Sequence, residues 1–487
     1  VVGMTEPKHV AIVGGGIAGL ACAYYLQKKA QAEERPISYT LLEAGGRLGG
    51  KIETDASDGF VIEGGPDSFI SQKPWARELC LELGLGDRLI GTNDVKRKTY
   101  VVFRDQLRAL PDGVMLIIPT RFLPFALSPL ISPLGKLRMA MDLVIPRRRG
   151  ADDESLSSFI TRRLGREALE KIAEPLMAGI YVADPYRLSL RSTFPRFLDM
   201  EQQYGSLIRG MLHQKRMRRR MSSGHQPLPL FMTLRGGLEE LVRTLASRLT
   251  GDIRLGCKVQ SVLRTGTRYR LQLDGDQVLD ADGVLMCADA AGLVRPLAPE
   301  VGRELDRIRY LSTATVSLVF DRSQVRHPLD GFGFVVPKTE GCRLMAATIV
   351  STKFPGRAPD GKVLLRAFVG GYHNEALVEL PDPELVGLVR GELGRLLGVE
   401  GEPERVRVYR WRHANAQYDV GHTDLVHRIE ARSATKLPGV FYAGGAYRGV
   451  GIPDCIHQGE QAAGHCLAYL AGGYPKWHVP SSVSSRQ

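Results

Sequence analysis

Cysteine is scarce in this sequence. The seven thiols, Cys22, Cys80, Cys257, Cys287, Cys342, Cys455 and Cys466, are odd in number and form no C-x-x-C pair. That spacing excludes a disulfide framework and a zinc site and suits reduced thiols in a cytoplasm. His422 and His427 make no ligand spacing either, so no metal is expected. Long apolar runs are also lacking. The greasiest stretch, Val114 to Leu134, is broken by Pro119, Pro124, Pro129 and Pro133 and carries Arg121. No run of about 18 apolar residues survives, so a spanning helix is not expected. Short helices fit this stretch, either as a buried helical part or as a platform in peripheral contact with a membrane. The first apolar run is a nucleotide-type strand rather than a secretory h-region, and Val1-Val2-Gly3 ahead of Met4 reads as an expression remnant.

Negative charge is in deficit: 65 Lys and Arg face 53 Asp and Glu, a net +12. Such a balance suits an anionic partner, whether a polycarboxylate, a lipid surface or nucleic acid. The basic runs Arg147 to Arg149 and Lys215 to Arg220 lack interleaved aromatics. Nucleic acid is therefore not expected, and a solvated face or headgroup contact fits these runs better. At 487 residues with 44% hydrophobic content, the chain can build two or three cores. Whether it is a monomer or a homodimer is not legible.

What the sequence does have is glycine in three telling places. His9 to Val13 is a short apolar run that breaks into Gly14-Gly15-Gly16-Ile17-Ala18-Gly19. This G-x-G-x-x-G supplies a tight turn, a close backbone approach to pyrophosphate, and close helix-to-strand packing. Ile17, Leu20, Ala21, Tyr24 and Tyr25 then follow helical spacing, and phosphate is expected on that helix's N-terminus. A second strand, Ile37 to Leu42, ends at Glu43-Ala44, 24 residues past the third glycine. A carboxylate there can bind ribose hydroxyls and would repel a 2′-phosphate. Arg47-Leu48-Gly49-Gly50-Lys51 follows, a cation and a second glycine pair suited to a longer, extended ligand. Further on come Gly64-Gly65-Pro66-Asp67-Ser68, a rigid turn after a strand, and Gly449-Val450-Gly451-Ile452-Pro453-Asp454-Cys455, which leads into a final helix with proline at its first turn. Between them, strand patterns at Thr313 to Phe320, Gly331 to Val336, Arg343 to Val350, Val363 to Val369 and through Trp411 suggest a second sheet, with a helix from Pro383 to Leu397. Residues 152–221 read as mostly helical, with a break at Glu174 to Tyr181.

The segment E-x-x-x-R-x-G-G, with GGGIAGL, GGPDSF, PLMAGIYVADPYRLSLRSTFP, GFGFVVP and GVGIPDCIHQG, resembles the amine oxidase and phytoene desaturase superfamily. More narrowly, the chain resembles the protoporphyrinogen oxidase family, in its bacterial branch that favours coproporphyrinogen III. The resemblance runs from Lys8 to Ala471 and implies an α/β fold. It implies a discontinuous Rossmann-like FAD-binding domain (4–70, 225–300 and 437–472), a mixed-sheet substrate domain (71–90 and 301–436), a helical subdomain (91–224) and a tail (473–487). The implied cofactor is FAD, held non-covalently by Gly14, Gly15, Gly16, Ile17, Ala18, Gly19, Glu43, Ala44, Arg47, Gly49, Gly50, Lys51, Gly65, Pro66, Asp67, Ser68, Val259, Trp411, Val450, Gly451, Ile452 and Asp454. Val259 would read adenine through backbone. Trp411 would either cover the cofactor or fill a sheet core. Cys455 would be a buried thiol rather than a flavin thioether.

The implied reaction is dehydrogenation of a porphyrinogen to the porphyrin: hydride passes to the flavin, O2 is reduced to peroxide, and no catalytic side chain is required. A porphyrinogen needs a flat apolar slot with cations at its propionates. The candidates are Gly179, Phe332, Val335, Ile349 and Phe368, with Arg97 and Thr99 at the acidic rim; each could instead be plain core. The family's arginine aligns with Thr99, while the cations here fall at Lys96, Arg97 and Lys98. Another flavin amine oxidase or carotenoid desaturase of the same fold is the rival enzyme reading. A basic lipid- or nucleic-acid-binding protein is the rival outside enzymes.

Overall fold

The computed structural model describes residues 7–93, 95–111, 114–115, 118–119, 128–150, 152–221 and 228–473. The tail from 474 onward and the centre of the apolar run at 120–127 lie outside them. The strand Lys8–Val13 is the middle of a five-stranded parallel sheet, flanked by Ile37–Leu42 and Gly283–Met286, with Asp252–Arg254 and Val440–Tyr442 at the edges. Apolar residues fill both faces of the central strand, as in a parallel sheet covered on both sides. Val10 and Ile12 face the helices Ile17–Ala32 and Ile452–Leu470, whereas Ala11 and Val13 face the layer that includes the antiparallel strands Val259–Thr265, Arg268–Leu273 and Val278–Ala281.

A second, seven-stranded sheet is built from Arg405–Ala416, Tyr310–Asp321, Lys362–Gly370, Ala346–Ile349, Gly331–Val335, Lys98–Phe103 and Gln106–Ala109, in that order. Because side chains alternate between faces, residues paired across it share a face. Ala314, Val316, Leu318, Leu365, Ala367, Ala347 and Phe334 form one buried face, against Leu385, Val389 and Leu393 of the helix Asp382–Leu397. The other face carries Tyr409, Thr315, Phe368, Ala346, Val335 and Val101 in one row.

Four expectations need correction. Lys98–Phe103 and Gln106–Ala109, placed in the helical part 91–224, belong to this sheet, since their β-branched and aromatic residues pair in register with Gly331–Val335 and each other. Residues 71–90 pack on the nucleotide core instead of the substrate sheet, because Ala76, Leu79, Cys80, Leu83 and Leu85 bury against the Leu20 and Leu26 cluster. Glu174–Tyr181, read as a break, is a helix: Pro175 falls in its first turn, where a missing N–H is tolerated, and a π-helical turn, Leu169–Ala173, precedes it. The apolar run starts as a hairpin of Val114–Met115 with Ile118–Pro119, not a helix. Helix Pro133–Ala140 follows it, started by the Ser132 cap. Among the described residues no helix is long and apolar enough to cross a membrane.

One carboxyl ties the strand Phe60–Glu63 to the helix Glu239–Ala246. Glu63 is 3% exposed, and its oxygens accept from Leu238 N at 2.8 Å and from Thr54 Oγ1 at 2.7 Å. Burial pushes its pKa up to about 7, only partly opposed by those bonds and by Arg357 and Arg366. The folded carboxyl thus keeps its proton to higher pH than the unfolded one at 4.5. The folded state binds more protons across that window, and stability falls as pH rises through it. Glu63→Gln, which cannot ionise, should narrow the difference in Tm between pH 5 and pH 8; an unchanged difference would assign the pH dependence to other groups.

Candidate flavin and substrate site

The first glycine turn is shaped by contact. A side chain at Gly19 would collide with the carbonyl oxygen of Gly14, so helix and strand approach more closely than any other residue allows. Gly16 faces open space instead: a Cβ there would meet nothing nearer than the Gly50 Cα at 4.0 Å. Gly49 N donates to Gly15 O at 2.8 Å, seating the second glycine pair on the first. Glu43 accepts from Gly15 N at 2.6 Å and from Gly45 N at 2.7 Å. Cys257 N and Gly256 N donate to Glu43 O and Gly45 O, so the segment leading to Val259 runs beside that carboxylate. Ala44 is exposed, while Ile17 and Ala18 are buried in the helix start.

Arg47 does a different job from the one expected of a ligand cation. Its guanidinium donates to the carbonyls of Leu48, Gly50 and Ile52 and pairs with Glu53 at 2.6 Å, folding its own loop. Lys51 is exposed yet crowded: its Nζ donates to Ala414 O at 2.8 Å, and surrounding protein lowers its pKa. A residue on the wall of a cleft has this character.

The turn after Glu63 is where the strand pair Thr54–Ser57 and Phe60–Glu63 meets the seven-stranded sheet. A Cβ on Gly65 would strike the Lys51 carbonyl oxygen. Gly64 O accepts from Thr315 Oγ1 at 2.8 Å, Trp411 Nε1 at 3.0 Å and Arg366 Nη2 at 3.1 Å, and Arg366 also donates to Gly65 O. Pro66 keeps the turn rigid before Asp67, whose carboxylate accepts from Lys353 Nζ at 2.8 Å and from Ser68 Oγ at 2.6 Å. Burial opposes ionisation of Asp67, but the charges of Lys353 and Arg366 override it and hold the carboxyl below its usual range. Trp411 is thus tied to this turn rather than to a sheet core. Lys353, Arg366 and Thr315 were missed in the sequence because nothing in their local spacing ties them to a turn some 250 or more residues earlier.

The closing motif puts Gly451 at the N-cap of Ile452–Leu470, with Pro453 in the first turn and no side-chain cap. Val450 is half-buried beside it. Asp454 binds Lys73 Nζ through both oxygens at 2.7 Å. Tyr418, also unforeseen, accepts from Gly449 N at 2.7 Å and donates to Gly445 O at 3.0 Å, bracing the loop ahead of this helix.

Among the substrate candidates, Thr99, Val335 and Phe368 share the open sheet face by register. The exposed Gly179 lies over Val335, 3.8 Å from its Cγ1 when a Cβ is built. The slot face is therefore roofed by helix Glu174–Tyr181. Ile349 is a correction: it pairs with Leu365 and is buried among Ala347 and Val389 on the opposite face. Phe332 is half-buried at the irregularity between Gly331 and Gly333, where pairing with Lys98–Phe103 shifts register, so alternation assigns it to neither face. Arg97 is exposed on the turn before Lys98, and Lys98 is spent on Asp330 at 2.5 Å.

FAD fits these residues. An open cradle lies at Gly16. Gly16 and Gly451 each begin a helix without a side-chain cap, and the first helix has no acidic residue in its opening turn, leaving N–H groups for an anion. Glu43→Ala should lower FAD retained through purification by severalfold, read from the ratio of flavin to protein absorbance; unchanged content would remove Glu43 from the site.

The model of the family described as flavin containing amine oxidoreductase matches residues 17–467. The chain is 40% identical to the coproporphyrinogen III oxidase of Bacillus subtilis (strain 168) over 95% of this chain and 98% of that one. It is 35% identical to the coproporphyrinogen III oxidase of Staphylococcus aureus (strain NCTC 8325 / PS 47), over 95% and 100%. A crystal structure from Exiguobacterium sp. 255-15, of a protein described as a protoporphyrinogen oxidase, superposes with a TM-score of 0.84 at 34% identity, covering 96% of this chain and all of that one. With the glycine turns, the paired sheets and the uncapped helix starts in one arrangement, the chain belongs to the flavin containing amine oxidoreductase family.

Proposed function

We propose that this protein oxidises a porphyrinogen, coproporphyrinogen III before protoporphyrinogen IX, to the porphyrin of heme biosynthesis, with O2 reduced to hydrogen peroxide. The observation that carries this reading is similarity end to end with coproporphyrinogen III oxidases at up to 40% identity, with nearly the whole of both chains covered. Bound FAD supplies the two-electron oxidation. The protein's own residues orient and exclude. Phe368, Val335 and Thr99 offer a flat face, and Gly179, lacking a side chain, leaves room under the roofing helix. Asp67 stays ionised and bound to Lys353, so it fixes the turn and takes no proton from the substrate. The uncapped start of Ile452–Leu470 favours negative charge next to it. Burial pushes the Cys455 thiol up to about 12, so it stays protonated and the cofactor is held without a thioether.

Peripheral membrane contact is part of this reading, and it rests on one stripe. Leu134, Leu137, Met141 and Val144 are 79%, 65%, 45% and 75% exposed. They recur at helical spacing along Pro133–Ala140 and the turn after it, beside exposed Arg147, Arg149 and Arg209. Apolar residues rimmed by arginine suit an anionic interface.

Two measurements test these proposals. The yellow holoenzyme should bleach anaerobically on adding coproporphyrinogen III and give fluorescent porphyrin in air, with kcat/KM about tenfold or more above that for protoporphyrinogen IX; absence of bleaching would defeat the assignment. Flotation with phosphatidylglycerol vesicles should recover the wild type, and Leu134→Asp with Leu137→Asp should lose most of that binding at unchanged turnover; equal recovery would dismiss the stripe.

A further inference from the structure

We propose that Cys22 and Cys287 form a thiol pair that hydrogen peroxide converts to a disulfide directly beneath the first glycine turn. The two Sγ atoms lie 3.5 Å apart, in hydrogen-bond contact, although 265 residues separate them in sequence. Cys22 is fully buried in the helix Ile17–Ala32, and Cys287 is half-buried at the end of the strand Gly283–Met286. Pairing within the sheet fixes the backbone of Cys287, whose N–H donates to Val13 O at 2.8 Å. Its carbonyl crowds the space where Gly14 would carry a Cβ. A disulfide needs the sulfurs at about 2 Å, so closure asks for a shift of about 1.5 Å, a distance that side-chain torsions span.

The pair is asymmetric, which sets the order of events. Its bond to Cys287, together with burial, raises the Cys22 pKa, so Cys22 rests as the thiol. Cys287, the one open to small molecules, is where peroxide enters. Its sulfur attacks one peroxide oxygen, the O–O bond breaks, the thiol proton leaves with the departing hydroxide as water and a sulfenic acid remains. The Cys22 sulfur then attacks the Cys287 sulfur; the S–S bond forms, the S–O bond breaks, and the Cys22 proton leaves with the departing hydroxide as water. Two thiols lose two electrons and two protons, and one peroxide becomes two waters. The oxidant is the second product of the reaction proposed above, so its source rests on that reading, while the pair's reactivity does not. The link would join the helix behind the turn to the strand under it, covalently bridging two walls of the cofactor cradle.

The test begins with reduced, FAD-loaded enzyme and added peroxide, with no porphyrinogen. Digestion without reductant should yield Cys22 and Cys287 peptides joined, with the mass of two hydrogens lost and restored by dithiothreitol. Cys22→Ala should lose the link and carry sulfenic or sulfinic acid on Cys287, and Cys287→Ala should leave Cys22 unmodified. Free Cys22 and Cys287 while other thiols oxidise, or sulfinic acid on Cys287 of the wild type without the link, would overturn the proposal. During turnover in air the link should form and catalase should suppress it. If added peroxide makes the link but turnover releases no peroxide, the thiol pair stands and the functional reading fails.

Discussion

The backbone carbonyl of Gly64 fastens the turn after the strand pair Thr54–Ser57 and Phe60–Glu63 to the seven-stranded sheet. A hydroxyl, an indole N–H and a guanidinium N–H converge on it from three strands of the seven-stranded sheet: Thr315 on Tyr310–Asp321, Trp411 on Arg405–Ala416 and Arg366 on Lys362–Gly370. The guanidinium is buried to 2% exposure, and a lone buried cation costs several kcal/mol. Its compensation is local: the charge of Asp67 and the carbonyls of Gly64 and Gly65. Pulling the turn away from the sheet would strand that charge. The turn and the open sheet face are therefore positioned against each other by polar bonds that have no substitute in the interior.

Two helices aim into the region this contact frames. Ile17–Ala32 starts at Gly16 and Ile452–Leu470 at Gly451, both without caps. Each offers about half a positive charge at its first turn. Most helices begin on Ser, Thr, Asp or Asn, which would occupy those N–H groups internally. The start at Gly16, with no acidic residue in its first turn, is a fold-level cost that a bound anion offsets, whereas Asp454 already stands in the first turn that begins at Gly451.

How much of this was legible in the sequence follows from how local each signal is. The glycine turn, the Glu43 carboxylate beside it and the closing helix are each written within a dozen residues, and sterics leave them few alternatives. The first two parallel strands, Lys8–Val13 and Ile37–Leu42, were legible for the same reason, whereas the short edge strand Asp252–Arg254 was not. Partners that meet through register were not. Ile349 and Phe368 look alike as apolar strand residues, yet one step in pairing puts them on opposite faces. The hairpin of Lys98–Phe103 and Gln106–Ala109 looked isolated from the sheet it completes, because the strand that Lys98–Phe103 joins lies more than 200 residues later. Lys353 carries no motif at all; only the folded chain brings it to Asp67. Pro175 misled in the other direction, since a proline at a first turn and one in a helix interior read the same until the start of the helix is known.

The central nucleotide strand, Lys8–Val13, has one neighbour nearby in the chain and another at Gly283–Met286, whose own partner is Val440–Tyr442. The helix covering one face, Ile452–Leu470, comes more than 400 residues after Lys8–Val13. On a ribosome, the first strand and turn emerge long before the pieces that bury them. Each such long-range closure must be completed before its contacts repay the lost chain entropy. The nascent first strand and turn thus wait, glycine-rich and partly uncovered, in the care of whatever shields growing chains, and cofactor capture is deferred until Ile452–Leu470 has been made.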